Sequence, residues 1–369
     1  MPNIINEKNR FTKEITLSLK GIAILLLLFH HLFYNADFVQ VQKINFLFIP
    51  YSAIQPIAIM SRICVWIFAF LSAYGLSCQY CSLKYNNFQF IIKRWIALLS
   101  AFWIPYLGVF VGYYITIGNP ISYVYKYNYL ALIFDFLGVA DFFKTPMIVG
   151  VWWYMCFAQI LILLIPILNY ICQKFGWYAF PLAFLVLQYL PEGITSSFGG
   201  IYSEYFLVIV LAVLCANYNF FDKILIRKRE HLQNIIELFI EILILISCII
   251  FTYKLSGIDI WHLSGLFSSF AVLALCIIIG KWGQFKLIKK IFIFLGKHSG
   301  NMFMVHTFIY IYIPKLIFKS GYAIINYFSL VILSIIASIL IEFLKKILHY
   351  DILIQKIIRK GVCLGGVLE

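Results

Sequence analysis

Long apolar stretches separated by short polar segments run from one end of the chain to the other. A helix needs about 20 residues to cross about 30 Å of hydrocarbon. Stretches of that order fall at 15–34, 56–78, 95–117, 147–171, 177–190, 203–218, 235–253, 262–280, 299–318 and 323–343, the fifth and sixth being short. The pattern predicts an all-α fold, a polytopic membrane helical bundle of about ten transmembrane helices. Residues 1–14 form a polar N-terminal segment, 15–343 the membrane domain and 344–369 a C-terminal tail. No small-residue cleavage site follows the first apolar stretch, which therefore reads as a retained span rather than a signal peptide. Phe285 to Leu295 places Lys286, Lys289 and Lys290 on one helical face and Leu287, Ile288, Ile291, Phe292 and Leu295 on the other. That is the pattern of a helix lying in the membrane interface. Gly296 and Gly300 are expected to punctuate the passage from it into the ninth span.

Composition narrows the class further. The chain is 63% hydrophobic and 12% charged, whereas about a quarter of an ordinary soluble sequence is charged; a water-soluble domain is excluded. The net charge of +14 invites a nucleic-acid reading, but its distribution gives a different one. With ten spans and both termini cytoplasmic, twenty-two of the 29 Lys and Arg residues fall in inside segments and six in outside ones, while Arg62 lies within a span. The charge is a positive-inside topology signal, and no nucleic acid is implied. Nine cysteines are scattered, most of them inside apolar runs, and Cys78 and Cys81 form a lone CxxC without a second pair. They read as small buried hydrophobes, with no disulfide and no zinc expected.

A few polar residues stand out against this background. The first span, "LKGIAILLLLFHHLF", carries Lys20 near its start and His30 and His31 further in. His31 follows Lys20 by eleven positions; at about 100° per residue the two share a helical face, about 16 Å apart along the axis. An ionisable side chain at that depth faces the bundle interior and is a functional candidate, or else ties helices together by a hydrogen bond. The ninth span offers a second one, His306, while His298 sits closer to the surface and reads as a loop residue. Imidazole is the usual general base for a hydroxyl, because its pKa lies near operating pH. A cationic side chain at the cytoplasmic mouth can hold a phosphorylated donor. Glu237 and Glu241, one turn apart near Lys228 and His231, read as an interfacial charge cluster. The outer loops at 35–55, 118–146 and 191–202, with the span start beyond them, hold Asp37, Asp135, Asp141, Glu192 and Glu204 among many tyrosines. These acids either line a sugar-binding rim or belong to solvated loops with an interfacial tyrosine belt.

Taken in order, five elements resemble the acyltransferase-3 family of integral-membrane acyltransferases, which acylate bacterial surface glycans. They are Lys20, Gly21 and His31 in the first span; Phe68 or Phe70 with Ser72 in "WIFAFLSAYGLS"; Lys93, Arg94 and Pro105; Trp152, Trp153, Tyr154 and Pro166; and Leu295, Gly296, Ser299 and His306. Two positions depart from the family pattern: Lys20 stands where Arg is commoner, and Ala73 replaces a Gly. The resemblance implies transfer of an acyl group, usually acetyl from cytoplasmic acetyl-CoA, to a hydroxyl of a surface polysaccharide or its lipid-linked precursor. The setting it implies is the bacterial cell membrane, with membrane lipid around the chain and no metal. His31 would then be a general base or a transient acyl acceptor, and His306 a donor-orienting group or second acid/base. Lys20 and Arg94 would attract the CoA phosphates, and Arg62, Trp153 and Tyr154 would meet the glycan. Arg62 otherwise only snorkels, and Ser72 reads as a helix-packing contact. The competing class is a transporter or flippase, although no matched pair of Gly/Pro-interrupted spans supports it. A non-catalytic accessory subunit with the same fold is the third reading.

Overall fold

The computed structural model describes residues 11–82, 86–189, 203–225, 231–255, 261–281 and 286–366. It is 85% helical, with no strand among the described residues. The helices are α1 (Lys13–Phe33), α2 (Ala36–Val41), α3 (Tyr51–Met60), α4 (Ile63–Ser82), α5 (Asn87–Thr116), α6 (Pro120–Tyr123), α7 (Tyr129–Phe136), α8 (Trp153–Phe175) and α9 (Ala179–Tyr189). They continue with α10 (Phe206–Asn217), α11 (Phe220–Leu225), α12 (His231–Leu255), α13 (Trp261–Lys281), α14 (Lys286–Tyr312), α15 (Pro314–Phe318), α16 (Ala323–Ile347) and α17 (Tyr350–Gly366). Asparagine caps several of them: the side chains of Asn35, Asn86 and Asn128 accept from the backbone N–H groups of Phe38, Gln89 and Ala131.

Among the described residues, seven helical stretches are long and apolar enough to cross a membrane: Lys13–Phe33, Tyr51–Ser82, Asn87–Thr116, Gly150–Tyr189, Ile235–Leu255, Leu263–Lys281 and Ala323–Ile347. Among the described residues, each of the ten predicted stretches is helical over most of its length. The stretches at 147–171 and 177–190 overlap one 40-residue segment, Gly150–Tyr189, in which a single 3-10 turn, Gly176–Tyr178, joins α8 to α9; the φ of Gly176 is +61°. The sixth becomes the 12-residue α10, buried on every side from Leu207 to Cys215. The ninth differs from expectation. No break separates an interfacial helix from a span, because α14 runs unbroken from Lys286 to Tyr312 through Gly296 and Gly300. Phe285 lies outside the described residues. Gly296 has a packing role: a Cβ there would collide with the backbone carbonyl of Leu17 on α1, and one on Gly21 would collide with that of Phe292 on α14. Each glycine lets the backbone of one helix approach the other, as small residues do in membrane interfaces.

The chain folds as two compact units. The first comprises residues up to 30, 56–81 and 167–297; the second comprises 31–55, 82–166 and 298–369. In the first, α12 packs along α13, with the Thr252 and Ser268 hydroxyls 3.1 Å apart between them. Lys281 on α13 is paired with both Glu237 and Glu241 on α12. The expected charge cluster is therefore closed by Lys281; Lys228 lies outside the described residues. Asn169 is a buried polar junction, accepting from Ser77 at 2.7 Å and from Asn217 at 3.0 Å. In the second unit, α17 lies against α5 and the Tyr350 hydroxyl donates to the carbonyl of Ser100 at 3.0 Å. Asn45 exchanges backbone hydrogen bonds with Gly321 and Ala323, which joins the segment after α2 to the start of α16.

Candidate active site

The two adjacent histidines of α1 have different surroundings. His30 belongs to the first unit, where its Nδ1 donates to the carbonyl of Ala58 on α3 at 2.8 Å. That is a helix tie. His31 belongs to the second unit, and there its ring centroid lies 5.1 Å from that of His306 on α14. Tyr310, one turn beyond His306, stands 6.4 Å from His31 and 6.3 Å from His306, and Tyr34 flanks His31 at 6.3 Å. The structure thus brings together two imidazoles that are 275 positions apart in sequence.

The hydrogen bonds of His306 fix its tautomer. Its Nδ1 faces the carbonyl of Phe303 at 2.8 Å and that of Met302 at 3.3 Å. Carbonyl oxygens only accept, so Nδ1 carries the proton of the neutral ring and Nε2 holds the lone pair. The Thr307 hydroxyl, 3.1 Å away, donates to Nε2. His306 is fully buried. The arrangement is a neutral imidazole with its basic nitrogen already engaged by a hydroxyl, the interaction that precedes proton abstraction.

The aromatic run at the start of α8 positions this corner of the second unit. The Trp152 indole N–H donates to the carbonyl of Met304 at 3.1 Å, and the Tyr312 hydroxyl donates to the carbonyl of Ile148 at 3.2 Å. Both bonds hold α14 against the approach to α8. Tyr154 packs on Phe303 at 5.4 Å, Phe303 lies 6.1 Å from His306, and Trp153 lies beside Tyr154 at 5.8 Å. Trp153 and Tyr154 therefore border the histidine pair through Phe303. Trp152, read from sequence only as part of the motif, is the buried anchor.

Other candidates sit elsewhere. Lys20 and Arg62 belong to the first unit and Arg94 to the second. Arg62 does not merely snorkel: it is paired with Glu204 at 2.7 Å. Arg94 has its Nε buried with no hydrogen-bond partner among the described residues. Glu192 lies outside the described residues. His298 is not a loop residue; it lies within α14, 2.8 Å from the Ser338 hydroxyl on α16, beside Asn301, which donates to Glu342. Among the described residues, no three His, Cys, Asp or Glu side chains converge to hold a metal.

Asp135 is no part of a rim either. It is almost fully buried and accepts from the Tyr125 hydroxyl at 2.6 Å and from the Ile148 N–H at 3.0 Å. It therefore braces the segment that Tyr312 also grips. Burial pushes its carboxyl from 3.8 up to about 6, against the pull of those two hydrogen bonds. A raised folded-state pKa gives stability that is complete below the unfolded value and lost as pH rises through the folded one. The melting temperature of the full chain is expected to fall between about pH 4 and pH 6, and Asp135→Asn is expected to flatten that slope. An unchanged slope in the variant would refute the assignment.

A sequence model of one protein family, described as an acyltransferase domain, matches residues 18–343. That range takes in the histidine pair and every other candidate residue. The chain belongs to the acyltransferase-3 family. No curated protein and no solved structure matches it. Family membership and the apolar helices together make it a multi-pass membrane acyltransferase.

Proposed function

We propose that this acyltransferase moves an acyl group, usually acetyl, from cytoplasmic acyl-CoA to a hydroxyl of a cell-surface polysaccharide or its lipid-linked precursor, in a bacterial plasma membrane. The observation that carries the reading is the His31–His306 pair within a chain of this family. The acceptor hydroxyl displaces that of Thr307 from His306 Nε2 and gives up its proton there; its oxygen then bonds to the acyl carbon as the carbon–sulfur bond of the thioester breaks. The imidazolium of His306 returns the proton to the departing thiolate, so the base is restored. His31, 5.1 Å away, orients the acceptor or shares the proton. Arg94, with its buried Nε lacking a hydrogen-bond partner among the described residues, is suited to a phosphate of a CoA donor. Trp153 and Tyr154 supply flat faces beside the histidines for a sugar ring. Basic residues on the cytoplasmic side support the direction, from donor inside to acceptor outside.

The test compares cells lacking the chain with cells producing it: ester-linked acyl groups on surface glycan should increase, and membranes should incorporate label from [14C]acetyl-CoA. Cells whose glycans gain no ester would overturn the reading.

Thr307 supplies a finer prediction. Thr307→Ser keeps the donor to Nε2 and is expected to retain most activity. Thr307→Val removes it at nearly constant volume and leaves a buried nitrogen unsatisfied, at about 1–3 kcal/mol. We expect about a tenfold fall in rate at saturating donor, since about 1.4 kcal/mol is a factor of ten. Equal rates for the serine and valine variants would show that the hydroxyl has no part in positioning the base.

A further inference from the structure

The helix that follows the last span lies wholly within the second unit and takes no part in the mechanism. α16 ends at Ile347, and only Leu348 and His349 separate it from α17. His349 adopts a left-handed φ of +47°, which stops one helix and turns the chain into the next. Two residues reach at most about 7 Å, and the Tyr350 hydroxyl, bonded to the carbonyl of Ser100 at 3.0 Å, pins the start of α17 to the spanning helix α5. α17 therefore begins at the level of the membrane. At about 100° per residue, Tyr350, Ile354 and Ile358 form the stripe turned towards α5, and Ile354 is only 8% exposed. Beside that stripe Leu353, Lys356, Ile357 and Lys360 share a sector of about 100°, and all four are exposed. Ile352 and Arg359, also exposed, extend the sector, whereas Asp351 and Gln355 lie nearly opposite its centre.

The charge of this face selects its occupant. Among the described residues, none of Lys356, Arg359 and Lys360 is in an ion pair. Lys356 and Lys360 stand one turn apart, where like charges repel. The one acid of α17, Asp351, is on the far side and does not offset them. A soluble polyanion would answer the cations but leave Leu353 and Ile357 in water. A zwitterionic lipid would cover the apolar residues but leave the cations without net countercharge. An anionic phospholipid does both, since lysine stems follow apolar surface while their heads reach the headgroup layer.

We propose that this face of α17 is a docking site for anionic phospholipid at the end of the last span, with Lys356, Arg359 and Lys360 on the headgroup phosphates and Leu353 and Ile357 among the acyl chains. The test uses the full chain in nanodiscs of equimolar phosphatidylglycerol and phosphatidylcholine, with the photoreactive residue p-benzoylphenylalanine in place of Ile357. Lipid adducts are identified by mass spectrometry. Each Lys or Arg near an anionic surface favours binding by about fivefold, so phosphatidylglycerol adducts should exceed phosphatidylcholine adducts at least fivefold. The same photoreactive residue in place of Ile332, exposed midway along α16, should show a ratio near one. Lys356→Gln alone should at least halve the ratio at position 357, and the triple variant Lys356→Gln, Arg359→Gln, Lys360→Gln should bring it close to one with an unchanged melting temperature. Lys315→Gln with Lys319→Gln, exposed cations elsewhere in the same unit, should leave it as it was. A wild-type ratio near one at position 357, a ratio that the glutamine variants do not lower, or adducts to protein instead of lipid would each overturn the proposal. So would loss of the preference on adding soluble glycerol 3-phosphate, which would make this a site for free phosphate esters.

Discussion

His306→Asn is expected to abolish acyl transfer while leaving the protein in the membrane at its normal level. Asparagine places an amide N–H near the position of Nδ1 and can still donate to the carbonyl of Phe303, so the packing role of the ring is largely kept. It has no counterpart to the lone pair on Nε2 that the Thr307 hydroxyl addresses. A general base contributes about a hundredfold to ten-thousandfold, so the rate should fall at least a hundredfold. His31→Asn should be similarly severe, because its ring lies 5.1 Å from that of His306. Residues that act as a unit are not additive, and the double variant should be no slower than the worse single one. The measurement is acyl transfer from labelled acyl-CoA in membranes with matched protein content. His306→Asn retaining a third of wild-type activity would reduce the imidazole to a packing group and move the base elsewhere.

Which parts of this site were legible in the sequence follows from how far each signal reaches along the chain. Span positions depend on local hydropathy, and the described residues of the ten stretches are mostly helical. The two histidines were visible as polar residues inside apolar spans. Their meeting, across 275 positions, depends on tertiary packing, and so does the pairing of Arg62 with Glu204. Gly296 and Gly300 invited a break because glycine weakens an isolated helix. Inside a membrane the helix keeps its own hydrogen bonds, and a glycine there marks close approach instead. Asp135 and His298 were misplaced for a related reason: each looks like a loop residue until its buried partner, Tyr125 or Ser338, is seen. The tautomer of His306 has no sequence signal at all, since it depends on two carbonyls of its own helix and one neighbouring hydroxyl.

The second large effect concerns that close approach. Gly21→Ala and Gly296→Ala each add one methyl group where the neighbour is a backbone carbonyl, of Phe292 and Leu17 respectively. A flexible side chain would rotate away; a helix backbone has to shift as a whole. Overpacking of this kind costs about 1–3 kcal/mol or more. Each variant is expected to lose most of its correctly folded protein in membranes and to melt several degrees lower, measured by size-exclusion thermal stability. Gly75→Ala and Gly300→Ala are the controls, because nothing lies within 4 Å of a Cβ at either position. Both are helical, and alanine favours a helix by up to about 1 kcal/mol over glycine, so they should be neutral or slightly stabilising. The two damaging sites share one contact between α1 and α14, and once the helices have moved apart the second methyl meets less resistance. The double variant should therefore be less unstable than the sum of the singles. Full additivity would mean that the two glycines serve separate contacts, and an undisturbed Gly296→Ala would mean that the two helices do not approach this closely.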